Sequence, residues 1–311
     1  MADLKLYYFP TSFFSQKVLL TLFEKEAQFR EQVIMIHAGE QNEPWYLKVT
    51  PKGTVPALEA QGKVFTDSED IVTYLDKELD TGIKLIPDLS SKIGQEVDKW
   101  RRIFNDLNIA VITYGIVFHP ELSQTGMKVS SAMKKGLQSA KEGMRKGSKT
   151  LQEKAEKYPE FREEFLAKVS LQTERLAKME NKEVVIQALN ELDTLFDQIE
   201  STLAETRKEQ GVTDSWLLGS RFTMADIFLT ILMDRLNFLG LEERYFVTSK
   251  RPLANDYYQR VGNRKSVQQN RQKFKKAANL MFVRMLKKTI PAFVGVLGVV
   301  ISVLYWRARS K

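Results

Sequence analysis

The sequence predicts an α+β fold: a small α/β domain, then an all-helical domain, then one apolar helix at the C-terminus. Three observations carry this. The first 80 residues alternate strand and helix patterns in the order βαβ, loop, ββα. After Pro87 the β-rich runs stop and apolar residues recur at spacings of three and four. From Ile290 to Trp306 the chain reads IPAFVGVLGVVISVLYW, seventeen residues without a charge.

LKLYYFP at 4–10 is rich in β-favouring residues and reads as a strand. SFFSQKVLLTLFEKE at 12–26 reads as a helix that starts at Ser12 or Ser15 and turns Val18, Leu19, Leu22 and Phe23 inward. QVIMI at 32–36 is a second strand, parallel to the first because a helix separates the two. VPALEA (55–60) and KVFTD (63–67) flank Gln61-Gly62 as a β-hairpin. SEDIVTYLDKEL at 68–79 is helical again. This order is that of a thioredoxin-like domain, placed at 1–81.

The helical domain is read over 88–265. Val97, Trp100, Phe104, Leu107, Val111, Tyr114 and Phe118 form one helical stripe. Val185, Leu189, Leu192, Phe196, Ile199 and Leu203 form another, and 224–239 is a strongly apolar helix. Between the first two stripes lies an insertion at about 119–182. Residues 128–157 hold nine Lys or Arg against Glu142, Glu153 and Glu156. After Pro159 comes FREEFLAKVSLQTERLAKME, amphipathic and highly charged. The insertion reads as a long solvated helical hairpin; its functional reading is a partner-binding or regulatory element.

Cysteine is absent, which excludes disulfides, thiolate metal sites and a cysteine nucleophile. His37 and His119 are the only histidines, so no metal site is expected, and each reads as a structural or surface residue. MADLKLYYF lacks the pattern of a signal peptide. The net charge of +8 is uneven: residues 250–311 hold fifteen Lys or Arg against Asp256 alone, and residues 1–249 hold 32 against 38 acids. The basic excess points to an anionic membrane surface rather than nucleic acid.

The tail supports that reading. Seventeen helical residues span ~26 Å, against a hydrocarbon core of ~30 Å. Lys287, Lys288, Arg307, Arg309 and Lys311 flank the span, and Tyr305 and Trp306 suit an interface. Phe274, Ala277, Met281 and Met285 lie on one face of the preceding stretch, with Lys273, Lys276, Arg284 and Lys287 elsewhere on it. Residues 266–289 thus read as a basic amphipathic helix on the membrane surface. The short span and doubly basic flanks favour the mitochondrial outer membrane, with the amino-terminal bulk in the cytosol.

Three motifs carry chemistry. In Thr54-Val55-Pro56-Ala57-Leu58 a proline enters a strand; a cis bond there turns the Val55 N–H and C=O toward an extended peptide. Asp67-Ser68 starts a helix, where a hydroxyl and free helix N–H groups receive a carboxylate. Thr223-Met-Ala-Asp226 is a capping box that anchors an apolar helix.

Together these resemble the glutathione transferase superfamily over 4–79 and about 185–265, where Arg251-Pro-Leu-x(3)-Tyr257-Tyr-x-Arg-Val261 also fits. The resemblance implies glutathione as substrate or ligand. Its cysteinyl backbone would pair with Val55 before cis-Pro56, its γ-glutamyl end with Asp67 and Ser68, and its glycine carboxylate with Lys52. FSQKV (14–18), NEPWY (42–46), His119-Pro-Glu-Leu122, the insertion, RLNFLG (235–240) and the tail further resemble the ganglioside-induced differentiation-associated protein 1 family. That implies a tail-anchored protein of the mitochondrial outer membrane acting in fission, network shape and redox balance. Outer-membrane lipids, fission or cytoskeletal proteins and a second copy of the chain are the implied partners.

Transferases work through the glutathione thiolate, which a hydroxyl donor stabilises. Tyr8 stands at the end of the first strand; Ser12 and Ser15 stand at the first helix start, where the dipole also favours an anion. The sequence leaves all three as alternative donors. The main expectation is a sensor or organiser that binds glutathione or a partner. The alternative is a working membrane-bound transferase or peroxidase.

Overall fold

A computed structural model describes residues 3–129, 131–211 and 213–277, with the backbone alone over 131–140. The chain divides into a unit of residues 1–270 and a second of residues 271–311. In the second unit residues 271–277 are helical, while the expected membrane span at 290–306 and the second half, 278–289, of the expected surface helix at 266–289 lie outside the described residues. Among the described residues no helix is long and apolar enough to cross a membrane.

The amino-terminal strands are β1 (Leu4–Tyr8), β2 (Arg30–Val33), β3 (Ala57–Ala60) and β4 (Lys63–Phe65). They form one sheet in the order β2-β1-β3-β4. β1 pairs parallel with β2, and β3 pairs antiparallel with both β1 and β4. Helix α1 (Phe13–Glu24) makes the crossover and α3 (Ser68–Glu78) packs beside it. Gln61 and Gly62 both take positive φ, 51° and 72°, the mirror-image turn that a two-residue hairpin needs.

The second strand differs from its expectation of 32–36. It ends at Val33, and two 3-10 turns (Ile36–Ala38 and Glu40–Asn42) lead into the short helix α2 (Pro44–Leu47). Ile34 still donates its N–H to the Tyr8 carbonyl at 2.8 Å. The chain then leaves the sheet, and the Glu40 carboxylate accepts the Met35 N–H at 2.7 Å.

The expected stripe over 97–118 is two helices, α4 (Lys92–Asp106) and α5 (Ile109–Phe118). The break falls where Leu107 turns extended (ψ 129°) and Asn108 caps α5, accepting the Val111 N–H. The hairpin follows as α6 (Ser131–Lys157) and α7 (Arg162–Glu180), then α8 (Lys182–Gln210), α9 (Met224–Leu239), the short α10 (Glu242–Tyr245) and α11 (Pro252–Val261).

Helix α9 packs on α1 and α4, so one apolar core runs from Leu4, Leu6 and Tyr8 through Val18 and Leu22 to Phe228 and Leu232. Helix α1 is buried on more faces than its apolar pattern indicates, with Ser15, Gln16 and Lys17 enclosed as well. The Asp226 carboxylate anchors α9: it accepts the Thr223 N–H and hydroxyl, the Leu217 N–H and the Tyr257 hydroxyl, all within 3.0 Å. The buried Asp76 carboxylate holds the linker between the two parts, accepting from Leu85 N, Ile86 N and Lys25 Nζ.

Candidate functional site

The sheet register brings the predicted residues to one place. The β1–β3 pairing opposes Tyr7 to Ala57, so two residues further on Val55 comes level with Phe9. The β3–β4 pairing opposes Leu58 to Phe65, so three residues further on Val55 comes level with Ser68. Val55 therefore lies between the start of α1 and the start of α3, at the open end of the sheet.

The Val55–Pro56 peptide is cis, as the motif predicts. The Val55 N–H and C=O make no hydrogen bond among the described residues. The neighbouring backbone is held: buried Tyr46 donates its hydroxyl to the Thr54 carbonyl at 2.7 Å. Gly53 closes a turn on Thr50 at 2.8 Å with φ 51°. A fixed peptide unit with a free donor and a free acceptor is what pairing with an extended ligand requires.

At α3, Asp67 is the exposed cap and accepts the Glu69 N–H at 2.7 Å. Ser68, the first helical residue, is 7% exposed, and its hydroxyl has no partner among the described residues. The two are adjacent at a helix N-terminus, where backbone donors and the dipole favour an anion.

The three candidate thiolate donors separate. Tyr8 is buried, and its hydroxyl donates to the Glu31 carboxylate on β2; burial and that carboxylate push its pKa well above the usual tyrosine range. The expectation of Tyr8 as donor is thus corrected: its proton is committed across the sheet. Ser15 is fully buried, and its Oγ accepts the Phe9 N–H at 3.3 Å, stitching the end of β1 to α1. Ser12 is half-buried at the cap of α1, its Oγ accepting the Ser15 N–H at a long 3.4 Å. Of the three, Ser12 keeps a hydroxyl proton to give outward, at the positive end of a twelve-residue helix. On the same turn Phe14 is exposed.

Buried cations surround this turn, and the sequence pattern did not announce them. Arg235 of α9 is 6% exposed and donates to the Thr11 carbonyl at 2.6 Å, one peptide before Ser12. Lys17 is fully buried between domains, bonded to Asn105 of α4 at 2.6 Å and lying 3.9 Å over the Phe228 ring. Burial lowers its pKa to about 8 in spite of Glu69 and Asp67. Arg101 of α4 reaches back to Glu69 at 2.7 Å and Thr73 at 2.8 Å on α3. Charged residues in helical sequence read as solvated faces; only the packing of α4 and α9 on α1 encloses them.

The hairpin also reaches this end of the molecule: most of its described side chains stay exposed or half-buried, as a solvated hairpin implies, but its tip is packed. Its tip packs on α2: Leu151, Ala155 and Phe165 form a buried cluster with Leu47. Lys154 bonds Glu43 at 2.8 Å, and Lys168 bonds the Asn42 side chain at 2.8 Å. Lys52, by contrast, is exposed. Trp45 is 43% exposed, stacked edge-on against Tyr46. His37 is exposed beside Phe9, and His119 donates from Nε2 to the Glu180 carbonyl at the base of the hairpin.

Comparison with known proteins agrees with this geometry. The glutathione S-transferase N-terminal domain model matches residues 11–78, and the C-terminal domain model matches residues 148–265. Human ganglioside-induced differentiation-associated protein 1-like 1 is 28% identical over 297 residues, covering 93% of this chain and 77% of that protein. The tetrachloro-p-hydroquinone reductive dehalogenase of Sphingobium chlorophenolicum is 27% identical, covering 86% and 94% respectively. Among solved structures, the β-etherase LigF of Sphingobium sp. strain SYK-6 shares the fold at a TM-score of 0.61 and 22% identity, over 87% of this chain and 99% of that one. A glutathione transferase homologue from Drosophila mojavensis with bound glutathione shares it at 0.56 and 20% identity, over 90% and 96%. A thioredoxin-like sheet with cis-Pro56 and a helical domain anchored by Asp226, matched by both halves of one family description, means that the chain belongs to the glutathione transferase superfamily.

Proposed function

We propose that this protein binds glutathione at the Val55–Ser68 end of its sheet and acts from the mitochondrial outer membrane. In this reading it influences fission, network shape and redox balance through ligand or partner binding. The observation that carries the glutathione reading is the Val55 peptide, whose free N–H and C=O lie level with the unpartnered Ser68 hydroxyl. Calorimetric titration of glutathione into the full-length protein tests it. Saturable binding that Ser68→Ala weakens about tenfold supports it; a flat titration removes it.

The membrane reading rests on the uncharged run 290–306, its basic flanks and the resemblance to a tail-anchored family. Cells carrying the protein without residues 290–306 should show it dispersed in the cytosol, with an altered mitochondrial network. Unchanged location and network shape would sink this half. A homodimer belongs to the same proposal and predicts twice the chain mass in sedimentation.

Ser12 favours a second reading, an active transferase or peroxidase. An available hydroxyl at the start of α1 is what stabilising a thiolate requires. Turnover of glutathione with an electrophile, lost in Ser12→Ala, would establish it.

A further inference from the structure

The insertion hairpin brings a lysine to the candidate site. Lys168 of α7 is half-buried, and its ammonium donates to Asn42 Oδ1 at 2.8 Å. It lies directly against the Cα of Gly53: a Cβ there would fall on Lys168 Nζ, the Gln41 carbonyl and the Leu47 side chain. Gly53 is therefore required twice, for its positive φ and for this close approach.

The charge around Lys168 is unbalanced. Lys154, a second lysine near the hairpin tip, has the Glu43 carboxylate at 2.8 Å. Lys168 forms no ion pair among the described residues; Glu164, one turn earlier on α7, acts on it only at longer range. Burial lowers its pKa to about 8, and Lys154 adds to that lowering. A half-buried ammonium beside a second ammonium, with one amide oxygen as partner, gains from an anion. The Gln41 side-chain oxygen, buried in the same turn, also has no partner.

Position identifies the anion. A peptide with its γ-glutamyl end at Ser68 and its cysteine on Val55 extends away from α3, past Thr54 toward Gly53. Two residues of extended chain cover about 7 Å. Val55 and Gly53, two residues apart, lie within that distance of each other, and from the cysteine Cα a following glycine keeps its carboxylate within the same reach.

We propose that Lys168, a residue of the insertion, receives the glycine carboxylate of bound glutathione in place of Lys52. The hairpin then completes the ligand site instead of projecting from it. The inference rests on the glutathione-binding reading above.

The test compares glutathione with its glycine ethyl ester, which keeps the length and removes the charge. Both are titrated calorimetrically into the full-length protein, its Lys168→Met variant and its Lys168→Arg variant, each first checked for native circular dichroism. The wild type should prefer glutathione over the ester at least tenfold. Lys168→Met should bind both ligands alike at the affinity of the ester, and Lys168→Arg should restore most of the preference. A wild type without preference, a Lys168→Met variant that keeps it, or one that weakens both ligands equally overturns the inference and leaves the glutathione reading standing. A wild type that binds neither ligand overturns both.

Discussion

Two parts of the helical domain meet the thioredoxin-like domain, and they do so differently. Helices α4 and α9 share one continuous core with α1 and α3. That contact is laced by buried polar links: Lys17 to Asn105, Arg101 to Glu69, Arg235 to Thr11. Among the described residues the hairpin α6–α7 meets the same domain through its tip, where Leu47, Leu151, Ala155 and Phe165 form a satellite cluster with the two lysine contacts beside it. The first interface cannot part without unfolding the sheet's cover. The second buries little and can open as a local unit. One side of the candidate site is therefore rigid, and the other is adjustable.

Breaking the rigid side should cost most. Asp226→Ala leaves the Leu217 and Thr223 N–H groups and the Tyr257 hydroxyl buried without their acceptor. A loss of about 3–5 kcal/mol in urea unfolding is expected, cooperative over both domains. A change below about 1 kcal/mol would mean that the anchor is dispensable.

Truncation at the adjustable side should stay local. Phe165→Ala removes a fully buried ring, a change worth about 3 kcal/mol in a core. Amide exchange should speed up in 151–169 and 41–53 while α9 keeps its protection. Equal acceleration in α9 would show that the two interfaces are one cooperative unit.

If Lys168 receives the ligand's carboxylate, ligand binding depends on pH. Lys168 has a pKa of about 8 without ligand. An anion favours its charged form, so binding is full below that value and is lost as pH rises through it. Glu164, Lys154, Glu43 and Asn42 face it, and of these Lys154 and Glu43 are already paired. The affinity for S-methylglutathione, which has no thiol to titrate, should fall about tenfold between pH 7 and 9. In Lys168→Arg it should stay level over the same range.

The hydroxyls of the rigid side can be ranked by rate. If the protein turns over, Ser12→Ala should slow it at least tenfold, about 1.4 kcal/mol. Tyr8→Phe should leave the rate near wild type and cost about 1 kcal/mol of stability through its bond to Glu31. The opposite ranking would return the donor role to Tyr8. Smallest of all, Lys154→Ala should cost about 0.5–1 kcal/mol, because Glu43 is 41% exposed and water screens the pair.

Much of this architecture is legible in the sequence. The strand and helix order up to Glu78, the Gln61-Gly62 turn, the stripe of α8 and the Thr223–Asp226 box all depend on interactions within a few residues or on one apolar face. Val55, Pro56, Asp67 and Ser68 could be named for the same reason: a proline before a strand and a serine at a helix start carry their chemistry locally. Other places were not legible. Ser12, Ser15 and Tyr8 look equivalent in sequence, because their difference lies in Phe9 and Glu31, partners that arrive by sheet pairing and a tight turn. The break at Leu107–Asn108 was hidden because the apolar spacing continues across it.

The sequence by itself determined the two-part fold, the proline-led strand entry at Val55-Pro56 and the helix start at Ser68, since periodicity and caps act within a turn or two of chain. Only the tertiary structure decided which hydroxyl stays available and which lysine stands beside Gly53. 

Lys52 stands three residues before Val55 in the chain yet points to solvent, whereas Lys168 reaches Gly53 from the far end of the insertion. Sequence neighbours are brought together by covalent geometry, which a motif records. Lys168 is brought there by the packing of Phe165 and Leu151 on Leu47, a burial of apolar surface between segments distant in sequence, which no local pattern encodes.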